Sequence, residues 1–143
     1  MSVTEFCTAI NCIDGRVQIP VIEYIKNKYR VDYVDMITLP GPDKVLALNK
    51  DKSALHSIKK CLEISIDLHG SRLIAISGHY DCAGNPAGRE TQLKQMRSAI
   101  TTVESWDFGV KVIGLWVDEK MEVCESKEVT GEGLSPDQVG GQD

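Results

Sequence analysis

Three chemically active side chains stand at alternate positions at the end of an apolar run near the start of the sequence. They are Cys12, Asp14 and Arg16, and the apolar run covers 6–13 (FCTAINCI). Packing alone seldom brings a thiol, a carboxylate and a guanidinium together, because charged groups are rarely buried unless they are paired. A thiolate binds soft metal ions, and a guanidinium holds a carboxylate through a forked pair of hydrogen bonds. The pattern therefore predicts a metal ligand, Cys12, beside a carboxylate that Arg16 keeps in place.

A second group of polar residues follows another apolar run, in the segment 78–85 (GHYDCAGN). His79 and Cys82 lie three positions apart in this segment. Together with Cys12 they would offer two thiolates and one imidazole, a ligand set that suits zinc in tetrahedral geometry. The fourth position decides the role of such a site. A water leaves it open for catalysis, whereas a protein ligand such as Asp14 closes it.

The elements that must position these residues are predicted from alternating apolar patterns. Strands are expected at 6–13, 31–38, 72–77 and 110–117, with a short edge strand near 121–124. Helices are expected from Pro20, after Asp51 (with Cys61 on the apolar stripe) and across 93–103, and a turn is expected at 40–42. This alternation predicts a three-layer α/β fold with a central, mostly parallel sheet of four to five strands in the order 2-1-3-4.

The order of the strands determines whether the candidate ligands meet. In parallel sheets of this kind, ligands bind beyond the carboxyl ends of the strands. Adjacent first and third strands would therefore bring Cys12, His79 and Cys82 to one point.

The composition is that of one ordinary globular domain. The chain has 143 residues, of which 42% are hydrophobic and 26% are charged, and its net charge is −5. A negative chain argues against nucleic acid or an acidic membrane surface as a partner. No apolar stretch approaches the roughly 20 residues of a membrane span, and no signal-peptide pattern is visible. A cytoplasmic location with reduced thiols is expected.

The composition changes near the end of the sequence. Residues 1–124 are expected to form the zinc-binding domain, and residues 125–143 are expected to form an acidic, glycine-rich, flexible tail. This last segment contains four glycines, five acidic residues and one lysine, a composition that does not support a packed core.

The two motifs together resemble those of the β-class carbonic anhydrases, which carry Cys-x-Asp-x-Arg after the first strand and His-x-x-Cys after the third. The resemblance covers about 6–117 and implies a minimal, divergent member of that class. It implies that Cys12, His79 and Cys82 bind zinc, and that Asp14 and Arg16 form a catalytic dyad for the hydration of carbon dioxide to bicarbonate. It also implies a homodimer or a larger homo-oligomer.

Two alternatives remain open, because the segment 36–45 (MITLPGPDKV) does not match the pocket segment of that class. One alternative is a related zinc hydrolase of another small heteroallene, such as carbonyl sulfide or carbon disulfide. The other is a non-catalytic domain in which Asp14 is the fourth ligand and zinc only stabilises the fold.

Overall fold

A computed structural model of the chain describes residues 3–127. The strands in this range are β1 (Phe6–Asn11), β2 (Tyr33–Thr38), β3 (Leu73–His79), β4 (Lys111–Val117) and β5 (Val123–Glu125). The α-helices in it are α1 (Gln18–Tyr29), α2 (Pro42–Leu48), α3 (Lys52–Glu63) and α4 (Arg89–Glu104). A 3-10 turn covers Gly15–Val17, and a π-helical turn covers Ile64–Leu68.

The strands form one sheet in the order β2-β1-β3-β4-β5. The first four of these are parallel, and β5 pairs antiparallel with β4. This arrangement confirms the predicted α/β class, the mostly parallel sheet and the order 2-1-3-4.

Helices cover both faces of the sheet. Val21 and Ile25 of α1 pack in the cluster that contains Ala9 and Ala75. Residues of α2, α3 and α4 pack in a second cluster that contains Ile10 and Ile76 of the same two strands. The fold therefore has three layers, as predicted. Because β1 and β3 are covered on both faces, their sequences are apolar almost throughout.

The helix predicted after Asp51 is α3. The carboxylate of Asp51 accepts a hydrogen bond from the backbone N–H of Ala54 at 3.1 Å, which caps the first turn. Leu62, two turns further on, is fully buried. Cys61 is exposed, so its predicted place on the apolar stripe is wrong. The buried face of α3 is narrower than the pattern indicated.

The segment after the predicted turn at 40–42 differs from the prediction, because α2 begins there. Gly41 has a left-handed conformation with φ 54°, which glycine adopts without strain. Pro42 stands at the first helical position, where its missing N–H is not needed. A helix of seven residues is too short to give a recognisable periodic pattern.

The sheet extends one residue past the domain boundary predicted at residue 124. Glu125 is buried at the end of β5, accepts a hydrogen bond from the Tyr29 hydroxyl, and lies 3.1 Å from the Lys28 ammonium. Residues 128–143 of the predicted tail lie outside the described residues. Within residues 3–127, none of the helices has the length and apolar character needed to cross a bilayer.

Candidate metal centre

Cys12, His79 and Cys82 meet at one edge of the sheet. β1 and β3 are parallel neighbours, so Cys12, just after β1, lies beside His79, the last residue of β3. The two sulfur atoms are 3.8 Å apart, and the candidate ligand atoms of all three residues lie within 4.8 Å of one another. All three side chains are buried. Within residues 3–127 this is the one such group of three His, Cys, Asp or Glu side chains.

The imidazole of His79 is oriented as a metal ligand requires. Its Nδ1 lies 2.8 Å from the backbone carbonyl oxygen of Tyr80. Because a carbonyl only accepts hydrogen bonds, Nδ1 carries the hydrogen, and in the neutral ring Nε2 then carries the lone pair. Nε2 is buried and has no hydrogen-bond partner among residues 3–127. A buried acceptor without a partner, beside two thiols, fits a metal ion held by these residues.

The Cys82 thiol needs a nearby positive charge before it can act as a thiolate ligand. Burial and the neighbouring Cys12 raise the pKa of the Cys82 thiol to about 11. Such a thiol stays protonated near neutral pH unless a positive charge stabilises the thiolate. A bound divalent cation supplies that charge, and two thiolates balance it.

Asp14 and Arg16 form a forked ion pair beside this group. Arg16 Nη2 donates to one carboxylate oxygen at 2.7 Å, and its Nε and backbone N donate to the other at 3.1 and 2.9 Å. These bonds lower the pKa of Asp14 to about 2. The guanidinium also donates to the backbone carbonyl of Asp81 at 3.1 Å. The structure thus pairs Asp14 with Arg16, outside the group of three candidate ligands.

Two amide side chains hold the backbone that carries the ligands. The Gln92 side chain, on α4, accepts from the N–H of His79 at 3.2 Å and donates to its carbonyl at 2.9 Å. Gln18 Nε2 donates to the carbonyls of Cys12 at 2.6 Å and Asp14 at 2.8 Å. Neither residue was predicted from the sequence. Gln92 could have been identified as a polar residue on a buried face, because it stands four positions before Met96 on the apolar stripe of the helix.

A cavity of about 330 Å³ lies against Cys82. Its wall includes Tyr80, Ala83, Pro86, Arg89 and Trp116. The loop that carries Cys82 therefore borders a space large enough for a small molecule.

We expect Gln92→Leu to destabilise the metal-free protein by about 3 kcal/mol, because the buried N–H and C=O of His79 would lose their partners. Lys94→Leu, at an exposed position of the same helix, should change stability by less than about 0.5 kcal/mol. Urea denaturation of both variants measures the difference. A loss below about 1 kcal/mol for Gln92→Leu would show that the amide does not hold this strand end.

Comparison with known proteins places the chain in a family. A family model described as "Putative carbonic anhydrase" matches residues 2–127. None of the curated proteins compared matches the chain. Among solved structures, a tetrameric β-carbonic anhydrase of the filamentous ascomycete Sordaria macrospora has 14% identity and a TM-score of 0.48, covering 87% of this chain and 81% of that one. The β-carbonic anhydrase CafA of the fungal pathogen Aspergillus fumigatus has 14% identity and a TM-score of 0.45, covering 95% and 79%. Because the family model spans most of its residues, the chain belongs to this carbonic anhydrase family.

Proposed function

We propose that the chain binds one zinc ion through Cys12, His79 and Cys82 and hydrates carbon dioxide to bicarbonate. The observation that carries this proposal is the buried Nε2 of His79, which has no hydrogen-bond partner among residues 3–127. It lies beside two thiol sulfurs 3.8 Å apart, in a member of the carbonic anhydrase family. Zinc bound at such a site lowers the pKa of its water towards about 7 and so supplies a nucleophile near neutral pH.

Asp14 and Arg16 serve this reaction by orientation. Arg16 engages both oxygens of the Asp14 carboxylate, which fixes the plane of that group. A carboxylate offers about four acceptor directions, so Asp14 retains capacity to accept a hydrogen from a water molecule at the site. The same ion pair keeps Asp14, two residues from Cys12, from acting as a fourth ligand.

The thiols support a reducing, cytoplasmic location. The Cys12 and Cys82 sulfurs are close neighbours. In an oxidising compartment, two such thiols would be exposed to disulfide formation, which removes both thiolate ligands.

We expect purified protein to carry one zinc ion per chain. Cys12→Ser and Cys82→Ser should each lose the metal, because a serine hydroxyl does not replace a thiolate towards zinc. Cys61→Ser, which changes an exposed cysteine of α3, should retain it. Zinc analysis of desalted protein is the measurement, and wild-type protein that neither carries nor takes up zinc contradicts the proposed centre.

Arg16→Ala should lower the rate of carbon dioxide hydration by about 10- to 100-fold while zinc stays bound, because Asp14 is then free to turn towards the metal. Stopped-flow assays with a pH indicator measure the rate. Arg30→Ala is the matched control. Arg30 precedes β2 and so lies at the amino ends of the parallel strands, whereas the candidate ligands lie at the carboxyl ends.

Two outcomes of this assay contradict the proposal. If the Arg16→Ala protein hydrates carbon dioxide at the wild-type rate, Arg16 does not position Asp14 for the reaction. Zinc-loaded wild-type protein that does not hydrate carbon dioxide would overturn the proposed activity. Release of sulfide from carbonyl sulfide by that protein would then identify the heteroallene hydrolase, and inactivity on both substrates would indicate a structural zinc.

We expect the protein to be a homodimer or a larger homo-oligomer. The apolar side chains of Ile13 and Tyr80, next to Cys12 and His79 in the sequence, are 60% and 50% exposed, and Ile19 at the start of α1 is 66% exposed. Burial of exposed apolar side chains favours association. Light scattering should give at least twice the mass of one chain. Ile13→Ser combined with Ile19→Ser should shift the assembly to monomer, whereas Leu68→Ser, at a different exposed position, should not. A monomeric wild-type protein at assay concentrations would contradict this expectation.

A further inference from the structure

The segment that leads into α2 is in direct contact with the loop that follows β3. We call residues 82–85 the ligand loop, because it begins with Cys82. A Cβ atom added to Gly84 would lie 2.7 Å from the backbone carbon of Pro40, and one added to Gly41 would lie 2.7 Å from the carbonyl oxygen of Gly84. Both distances are too short for a real side chain, so the two backbones touch. The start of α2 therefore supports the ligand loop.

Asp43, in the first turn of α2, links that support to the candidate ligands. Its side chain is 1% exposed, and its Oδ1 accepts from Asn85 Nδ2 at 3.0 Å and from the backbone N–H of Lys44 at 2.9 Å. The second amide hydrogen of Asn85 goes to Gln95 Oε1 at 2.8 Å. The backbone N–H of Asn85 donates to the carbonyl of Cys82 at 3.2 Å. Asp43 thus reaches Cys82 through one intermediate residue.

The other carboxylate oxygen of Asp43 is not satisfied. Oδ2 is buried and has no hydrogen-bond partner among residues 3–127. It faces Gly78, where an added Cβ would lie only 2.7 Å away, so only glycine leaves room for it beside His79. A buried carboxyl group with an unpartnered oxygen is costly, and an apolar side chain would cover this position without that cost. The cost of burying this carboxyl group is offset if its other oxygen, Oδ1, has a role that an apolar side chain cannot perform.

We propose that Asp43 is a positioning residue of the metal centre, which holds Cys82 in ligand geometry through Asn85. The inference rests on the metal binding in the proposed function and deepens it. Asp43 contacts both sides of the centre, since it packs on Gly78, next to His79, and bonds Asn85, three residues after Cys82. Residues behind the ligands determine how tightly a metal is held, and their loss commonly costs 10- to 100-fold in affinity.

The test measures how fast the metal leaves the loaded protein. Zinc release to a chromophoric chelator should be about 10- to 100-fold faster in Asp43→Ala and in Asn85→Ala than in wild type. The double variant should release zinc no faster than the faster single variant, because the two residues act in one chain of contacts. Asp43→Asn should release zinc within about threefold of wild type, because its amide oxygen still accepts from Asn85.

A control separates positioning from general loss of stability. Leu46 is fully buried in the same helix and packs in the cluster that contains Ile10 and Ile76, so Leu46→Ala should lower the melting temperature without speeding zinc release. In cobalt-substituted protein, Asp43→Ala should also shift the visible absorption bands, whereas Leu46→Ala should leave them in place.

Each contrary result has a distinct meaning. If Asp43→Ala releases zinc no faster than Leu46→Ala does, the positioning role is overturned. It is also overturned if the rate increase in the double variant equals the product of the rate increases in the two single variants. If the Asp43→Ala protein does not fold, Asn85→Ala provides the test. Zinc release from Asn85→Ala at the wild-type rate then overturns the proposal. Wild-type protein that takes up neither zinc nor cobalt would instead reject the metal centre itself, and the inference with it.

Discussion

The parallel pairing of β1 with β3 is the constraint on which the site depends. The register places Thr8 opposite Ile74 and Ile10 opposite Ile76, so both strands end at the same edge of the sheet. The sizes of the side chains buried on each face of these strands fix that register, because a shift by one residue would turn every side chain to the other face, where it would not fit the packing. The hydrophobic effect that folds the sheet therefore also brings together groups from distant parts of the sequence.

Around that edge, nearly every buried polar side chain among residues 3–127 has a hydrogen-bond partner, and only specific atoms do not. Asn85 and Gln92 are both 1% exposed, and their amides bond to backbone or side-chain partners around the ligands. Among residues 3–127, the buried side-chain atoms without partners are His79 Nε2 and Asp43 Oδ2. Both belong to this region, so the exceptions to hydrogen-bond satisfaction coincide with the candidate site.

The sequence predicted the strands and the candidate ligands for a physical reason. Buried parallel strands require continuous apolar runs, and Cys12, His79 and Cys82 are informative through their residue types alone. It did not predict α2, because a helix of seven residues after a left-handed Gly41 has no period to detect. Nor did it predict the contact of Asp43 with Asn85, which lie 42 positions apart in the sequence. Such a contact depends on the packing of two loops, which no local pattern encodes.

The two carboxyl groups near the centre have different environments, which shift their pKa values in opposite directions. Asp14 is partly exposed and bonded to Arg16, which lowers its pKa to about 2, so it carries a fixed charge at any physiological pH. Asp43 has no salt-bridge partner among residues 3–127, and burial raises its pKa to about 6. Opposite pKa shifts in two acids of one site indicate different roles. In the proposed reaction, Asp14 serves as a charged acceptor whose orientation the pairing with Arg16 defines. Asp43 acts through the position of one oxygen, since Asn85 needs an acceptor and that acceptor needs no charge.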